Sequence, residues 1–248
     1  MKKNIFLEVE YLGTNYFGFQ VQNKLSKEIT IQEVLERALK KLFKEEIRII
    51  YTSRTDRGVH AKCQGVNFTT HAHIPIANIK KALNSLLPVD IRVKKIKDKP
   101  YDFHSRFCVI SKVYRYCILN KKEESVFSAP FSWNVKERLA VDLMKEAAKK
   151  IVGKRDFSVF AKEAKSYKDC TRTIKSINIK KRGSVITIDI EADGFLRNMA
   201  RNVVSFLVEV TLNRVKISDI SAIISGKKKY SNKPAPAQGL CLVKVNYR

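Results

Sequence analysis

From residue 4 to residue 11 apolar side chains recur at every second position (Ile5, Leu7, Val9, Tyr11), the period of a half-buried strand. Gly13-Thr14-Asn15 then supplies turn chemistry ahead of an aromatic cluster, Tyr16, Phe17 and Phe19. Thr30-x-x-Glu33 reads as a capping box opening a helix, along which Ile31, Val34, Leu35, Ala38, Leu39 and Leu42 share one face. Strand patterns follow over 47–51 and 64–69, joined by the polar segment 52–61, then a short helix over 76–86 and a strand over 91–96.

The alternation repeats further on. The pattern predicts a strand over 107–119, a helix capped by Asn134-x-x-Glu137 running to about residue 151, and strands over 173–180 and 185–191. A helix from about 195 to 209 carries the stripe Leu196, Met199, Ala200, Val203, Val204, Leu207 and Val208, leaving Arg197, Arg201 and Ser205 on another side. A last helix near 218–224 and a strand over 240–246 complete the reading. Recurrent hairpin-like strand pairs predict an α+β fold rather than a doubly wound parallel sheet. Two similar halves with mixed or antiparallel sheets flanked by helices are expected, an N-terminal domain over 1–106 and a C-terminal domain over 107–248.

Composition adds a partner. The 248 residues hold 49 Lys+Arg against 24 Asp+Glu, a formal charge of +25, spread along the chain instead of gathered in one tail. Such a surplus attracts polyanions, and nucleic acid is the expected partner. Five cysteines without a C-x-x-C pair predict free thiols in a reducing compartment, so the cytoplasm is the expected location. Glu8 and Glu10 cut short the leading apolar run before a secretion signal forms, and no uncharged stretch is apolar enough to span a membrane.

The densest chemistry lies in Ser53-Arg54-Thr55-Asp56-Arg57-Gly58-Val59-His60, one carboxylate between two arginines in a glycine-containing loop. A neighbouring arginine favours the ionised carboxylate, although an Asp-x-Gly turn serving stability alone fits the same spacing. His60-x-x-Cys63 with His71-x-His73 offers metal-ligand types, but strand spacing turns the histidines to solvent more readily than to a shared ion, so no metal is expected. Glycine-rich phosphate loops of the standard spacings are absent. Phe103-His104-Ser105-Arg106-Phe107 and Val113-Tyr114-Arg115-Tyr116 interleave aromatics with cations, a mixture suited to bases and phosphates, or to a strand core in which only one of the two tyrosines is functional.

Taken together these motifs resemble the TruA family of tRNA pseudouridine synthases over nearly the whole chain. The resemblance rests on Tyr11-x-Gly13-Thr14-x-Tyr16-x-Gly18-Phe19-Gln20-x-Gln22, Arg54-Thr55-Asp56-x-Gly58-Val59-His60-Ala61 and Phe103-His104-x-Arg106-Phe107, followed by Tyr114-Arg115-Tyr116 and Asp156-Phe157-x-x-Phe160. Gly194-Phe195-Leu196-Arg197-Asn198-Met199-x-Arg201-Asn202 and Pro236-Ala237-x-Gly239-Leu240 complete it. It implies a pseudouridine synthase fold with a central RNA-binding cleft, and isomerisation of uridine to pseudouridine at positions 38 to 40 of the tRNA anticodon stem-loop. It implies a homodimer working without cofactor or metal. By the same resemblance Asp56 is the catalytic carboxylate, Tyr114 stacks on the flipped uracil and assists proton transfer, and Arg54 and Arg201 hold and charge-pair Asp56. His104, Arg106, Phe19, Gln20 and Arg197 join Tyr114 in binding substrate. The chain departs from the family pattern at Leu12, Ser53 and Thr211, where Asp, Gly and Gly are usual.

Three other readings fit parts of the pattern: a non-catalytic RNA-binding protein on the same scaffold, a synthase for another tRNA position or ribosomal RNA, and a metal-dependent nuclease using the His/Cys cluster. Pure binding has no use for an acidic group that repels phosphate amid basic residues, so Asp56 with Arg54, Tyr114 and Arg201 favours the enzyme.

Overall fold

In the computed structural model, which describes residues 2–22, 28–231 and 233–248, the opening alternation forms β1 (Lys3–Tyr11). Ile5, Leu7 and Val9 are buried on one of its faces. Helix α1 (Ile31–Phe43) buries Ile31, Leu35, Ala38, Leu39 and Phe43, and Phe43 meets Phe68 edge-on at 5.6 Å. Thr30 caps α1, its side-chain oxygen accepting from the Glu33 N–H at 3.3 Å. Glu33 pairs forward with Arg37 at 2.6 Å, so the expected box forms only by half.

The strand expected over 47–51 shrinks to β2 (Ile50–Tyr51), because Glu36 of α1 takes the Ile49 N–H at 3.2 Å and the Arg48 guanidinium at 2.9 Å. That segment spends its donors on the helix. β3 (His60–Thr70) runs antiparallel to β1 in the register Leu7↔Val66 and Ile5↔Phe68, which puts their apolar side chains on the same face. After α2 (Ile76–Leu86), β4 (Ile91–Lys99) joins the other edge of β1.

The chain divides into two compact units, Met1–Ile110 with Leu242–Arg248, and Ser111–Cys241. In the second, β5 (Val109–Leu119) takes the short β6 (Trp133–Asn134) in parallel at its end. The Asn134 box fails as a helix start. Asn134 lies in β6 with its amide donating to the Lys121 carbonyl, and α3 (Val141–Ile151) begins seven residues later behind Ala140. β7 (Gly153–Asp156), β8 (Thr171–Arg182) and β9 (Val185–Ala192) build an antiparallel order β5-β9-β8-β7.

Helix α4 (Met199–Thr211) starts four residues after the expected point, since Asn198 takes a left-handed conformation with φ 61°. It is covered on nearly every side. Ser205, expected on a polar face, is buried, and Asn202 donates its amide to the Phe160 carbonyl at 2.7 Å. The short α5 (Ile220–Ile224) packs near α3. The last strand, β10 (Leu240–Tyr247), from Leu242 onward belongs to the first unit, where it lies beside β3. No helix among the described residues is long and apolar enough to cross a membrane.

Removing the Thr30 hydroxyl leaves a helix N–H without its acceptor, so Thr30→Ala is expected to cost about 1 kcal/mol of stability, read as a lower urea midpoint at unchanged slope.

Candidate active site

The loop between β2 and β3 carries Arg54 and Asp56, and the opening turn of the chain fixes it through main-chain contacts. Gly58 N–H donates to the Gly13 carbonyl at 3.2 Å, and Phe19 N–H donates to the Thr55 carbonyl at 3.0 Å. Within the loop, Val59 N–H closes a turn onto the Asp56 carbonyl at 3.1 Å. Such approach requires glycine. A methyl group on Gly13 would collide with the Val59 carbonyl, and one on Gly18, which sits at φ +82°, would stand 2.7 Å from the Thr55 oxygen.

Side chains complete the brace. Tyr11 and Thr55 share a buried hydroxyl–hydroxyl bond at 2.7 Å, and His60 accepts the Gly13 N–H on Nδ1 at 3.0 Å. The imidazole therefore keeps Nδ1 unprotonated. Gln64, wholly buried in β3, accepts the Ser53 N–H at 3.2 Å and donates to the Ser53 carbonyl at 2.6 Å, a two-point clamp on the residue before Arg54. Nothing in the sequence singled out Gln64 beyond a polar residue in a strand otherwise rich in buried positions.

Of the expected site residues in this unit, Arg54 is exposed and Asp56 half-exposed. Arg54 also bonds Tyr51, whose phenol burial pushes up. Phe19, expected among the substrate-binding groups, has a fully buried ring 4.6 Å from Tyr51 and 5.9 Å from Tyr11. Gln20 follows it, half-exposed.

His104 and Arg106 lie on a segment held by two buried asparagines. Asn4 donates to the Pro100 and Phe103 carbonyls, both at 2.9 Å, and Asn67 accepts the Ser105 N–H at 2.8 Å. His104 accepts the Arg106 N–H on Nδ1 at 3.1 Å and stacks on Phe107 at 4.2 Å, while the Arg106 guanidinium lies over the same ring at 5.7 Å. Phe107 is 67% exposed, so this stack is offered to solvent.

In the second unit Tyr114 and Tyr116 share the buried face of β5, whereas Arg115 points the other way and grips Asp189 with two bonds of 2.7 Å. The two tyrosines do different work. Tyr116 has no exposure, donates to the Pro236 carbonyl at 2.8 Å and presses on Gly239, where a side chain would not fit. That makes it, with the Pro236–Gly239 motif, a packing element. Tyr114 meets Phe195 edge-on at 4.9 Å. Arg201 of α4 is half-buried, its Nε donating to the Ala235 carbonyl at 2.6 Å. Arg197 is exposed and ion-paired with Glu163 at 2.7 Å. The Asp156–Phe160 motif is structural, with the aspartate accepting from Ser158 N–H at 2.7 Å and both phenylalanines fully buried.

Among the described residues no three His, Cys, Asp or Glu side chains converge as metal ligands. His60, the first of the histidines weighed for such a role, already spends Nδ1 on Gly13.

A family model for tRNA pseudouridine synthase matches residues 8–108 and 147–248. The chain is 43% identical over 246 residues to tRNA pseudouridine synthase A 2 of Clostridium perfringens strain 13, covering 99% of this chain and 100% of that protein. It is 40% identical over 246 residues to tRNA pseudouridine synthase A of Thermoanaerobacter sp. strain X514 and 39% identical to that of Acetivibrio thermocellus, with the same coverage of both chains. An arginine–aspartate loop clamped into an α+β frame is thus met in a chain that belongs to the tRNA pseudouridine synthase family, isomerases that act on tRNA.

Two outcomes follow. Gly18→Ala forces a side chain into a left-handed position against Thr55 and is expected to cost at least about 1–2 kcal/mol, seen as a lower melting temperature together with lost activity. Burial, with Asp90 adding to it, raises the Tyr16 phenol; burial likewise raises Tyr116, and Tyr247 up to about 12. A raised folded-state value favours the neutral phenol, so this stability is present below the ordinary tyrosine range near pH 10 and is lost as pH climbs toward 12. Near-ultraviolet titration of the nine tyrosines should show a late phase in the native protein that disappears in denaturant.

Proposed function

We propose that the protein isomerises uridine to pseudouridine at positions 38 to 40 of the tRNA anticodon stem-loop, with Asp56 as the catalytic carboxylate. The observation that carries this reading is the braced loop presenting Arg54 and Asp56, in a chain of this family. The reaction breaks the bond from C1′ to N1, turns the base, joins C1′ to C5, and releases the C5 hydrogen as a proton while N1 takes up a proton in its place. A carboxylate beside the sugar serves the first step either as nucleophile or as base for a sugar proton. Rigid placement of that carboxylate is worth much of the rate, which is the value of holding its loop at Ser53, Thr55, Gly58 and His60.

Tyr114 stacks on the flipped uracil and assists removal of the C5 proton, since a base must leave its helix to be reached. Arg54, two residues before Asp56 on the same loop, holds that carboxylate in place for the reaction. The exposed His104–Phe107–Arg106 stack, with Gln20 and Arg197, binds the RNA around the target, and the charge of +25 draws in its phosphates. The enzyme works as a homodimer in the cytoplasm and needs neither metal nor cofactor.

Tritium release from tRNA labelled at C5 of uridine reads the new bond directly. Wild-type protein is expected to release it in the presence of a chelator with the RNA intact, and Asp56→Ala to lose at least about a thousandfold in rate while still binding tRNA. Pseudouridine mapping should place the product at positions 38 to 40; product elsewhere would overturn the assigned site, and release by Asp56→Ala at the wild-type rate would overturn the assigned carboxylate.

A further inference from the structure

The root of the Asp56 loop is tied to a residue that the chemistry above does not use. Thr52, four residues before Asp56, sends its hydroxyl to a node of three groups: the Gly65 carbonyl at 3.1 Å, the Ser105 carbonyl at 3.0 Å, and the phenol of Tyr247 on β10. A threonine hydroxyl has one proton to give, and both carbonyls can only accept. With that one proton turned to a carbonyl, the Thr52 oxygen is left to accept, and we take the Tyr247 hydroxyl as the donor to it.

Three further features fit that role. Gly65 lies inside β3, and a methyl group there would collide with the Tyr247 hydroxyl, so the strand is left bare where the phenol enters. The Tyr247 ring is seated edge-on to Phe6 at 5.5 Å and tilted against Phe103 at 5.4 Å, which fixes the direction of its hydroxyl. A phenol is protonated through the neutral range in any case, and burial pushes this one up further, to about 12.

We propose that Tyr247 is a positioning residue for the isomerisation, setting the Thr52 end of the loop and through it the placement of Arg54 and Asp56. The proposal rests on Asp56 being the catalytic carboxylate. Thr52 N–H also donates to the Gly65 carbonyl at 2.9 Å, and the next residue is the one clamped by Gln64, so a shift at Thr52 passes along a short rigid stretch to the loop. Displacement of a reacting group by a fraction of an ångström lowers the rate of the chemical step while leaving remote RNA contacts intact.

Tyr247→Phe keeps the ring and removes only the donor. Single-turnover tritium release, tRNA dissociation constant and melting temperature are measured for wild type, Tyr247→Phe, Thr52→Val and the double variant. The expected result is a release rate about tenfold lower in each single variant, tRNA affinity within about twofold of wild type, and a double variant no slower than either single. An unimpaired rate in Tyr247→Phe overturns the proposal, as does a loss of tRNA affinity matching the loss of rate, or effects that multiply in the double variant. If Tyr247→Phe does not fold, Thr52→Val carries the same expectation and an unimpaired rate there overturns it. A wild type that releases no tritium removes the functional reading and this one together, whereas an active wild type beside an equally active Tyr247→Phe removes this one alone.

Discussion

Backbone lying directly on backbone is the constraint from which the site follows. Between the opening turn and the Asp56 loop there is no room for a side chain, because the Gly13 carbonyl takes the Gly58 N–H and the Thr55 carbonyl takes the Phe19 N–H. Main-chain bonds at that range have little slack. They place the loop relative to β1 and α1, whose first N–H groups, at Ile31 and Gln32, in turn donate to the carbonyls of Gly18 and Phe19. A helix start, a strand end and a reactive loop are thereby locked into one rigid corner.

Around that corner the interior is polar where most interiors are apolar. Gln64, Asn67, Asn4 and Thr52 are all buried, and each makes at least one hydrogen bond to main chain, while Asn67 also donates to Asn4 and Thr52 also meets the Tyr247 phenol. Buried amides of this kind are costly unless paired, and pairing them with loop backbone converts the cost into rigidity. Two loops, one carrying Asp56 and the other carrying His104 and Arg106, are held by this means.

Much of this was legible from residue order. Period-two and helical spacing found the main strands and helices, and the α+β class followed from their sequence. Local signals failed where a tertiary partner outbid them: Asn134 serves a loop carbonyl instead of a helix start, Glu36 takes the donors of a would-be strand, and Asn198 delays α4. At the site, the motifs picked out the loop and its arginine, but an aromatic in a motif reads the same whether it faces in or out, and only the fold shows that the Phe19 ring faces in. Tyr116 beside Tyr114 shows the same ambiguity, resolved only by the Pro236 carbonyl and Gly239. The clamp by Gln64 and the bond from Tyr247 to Thr52, partners 195 residues apart, leave no trace in any local window.

That long separation bears on the order in which the molecule is made. The first unit needs Leu242–Arg248 to finish its sheet, and the whole of Ser111–Cys241 stands between. Contacts of such range form late, because closing the intervening loop costs entropy before any bond repays it. A chain emerging from the ribosome therefore holds an incomplete sheet edge beside β3 until the second unit has been synthesised. The corner that bears Asp56 stays without the bond from Tyr247 to Thr52 until then.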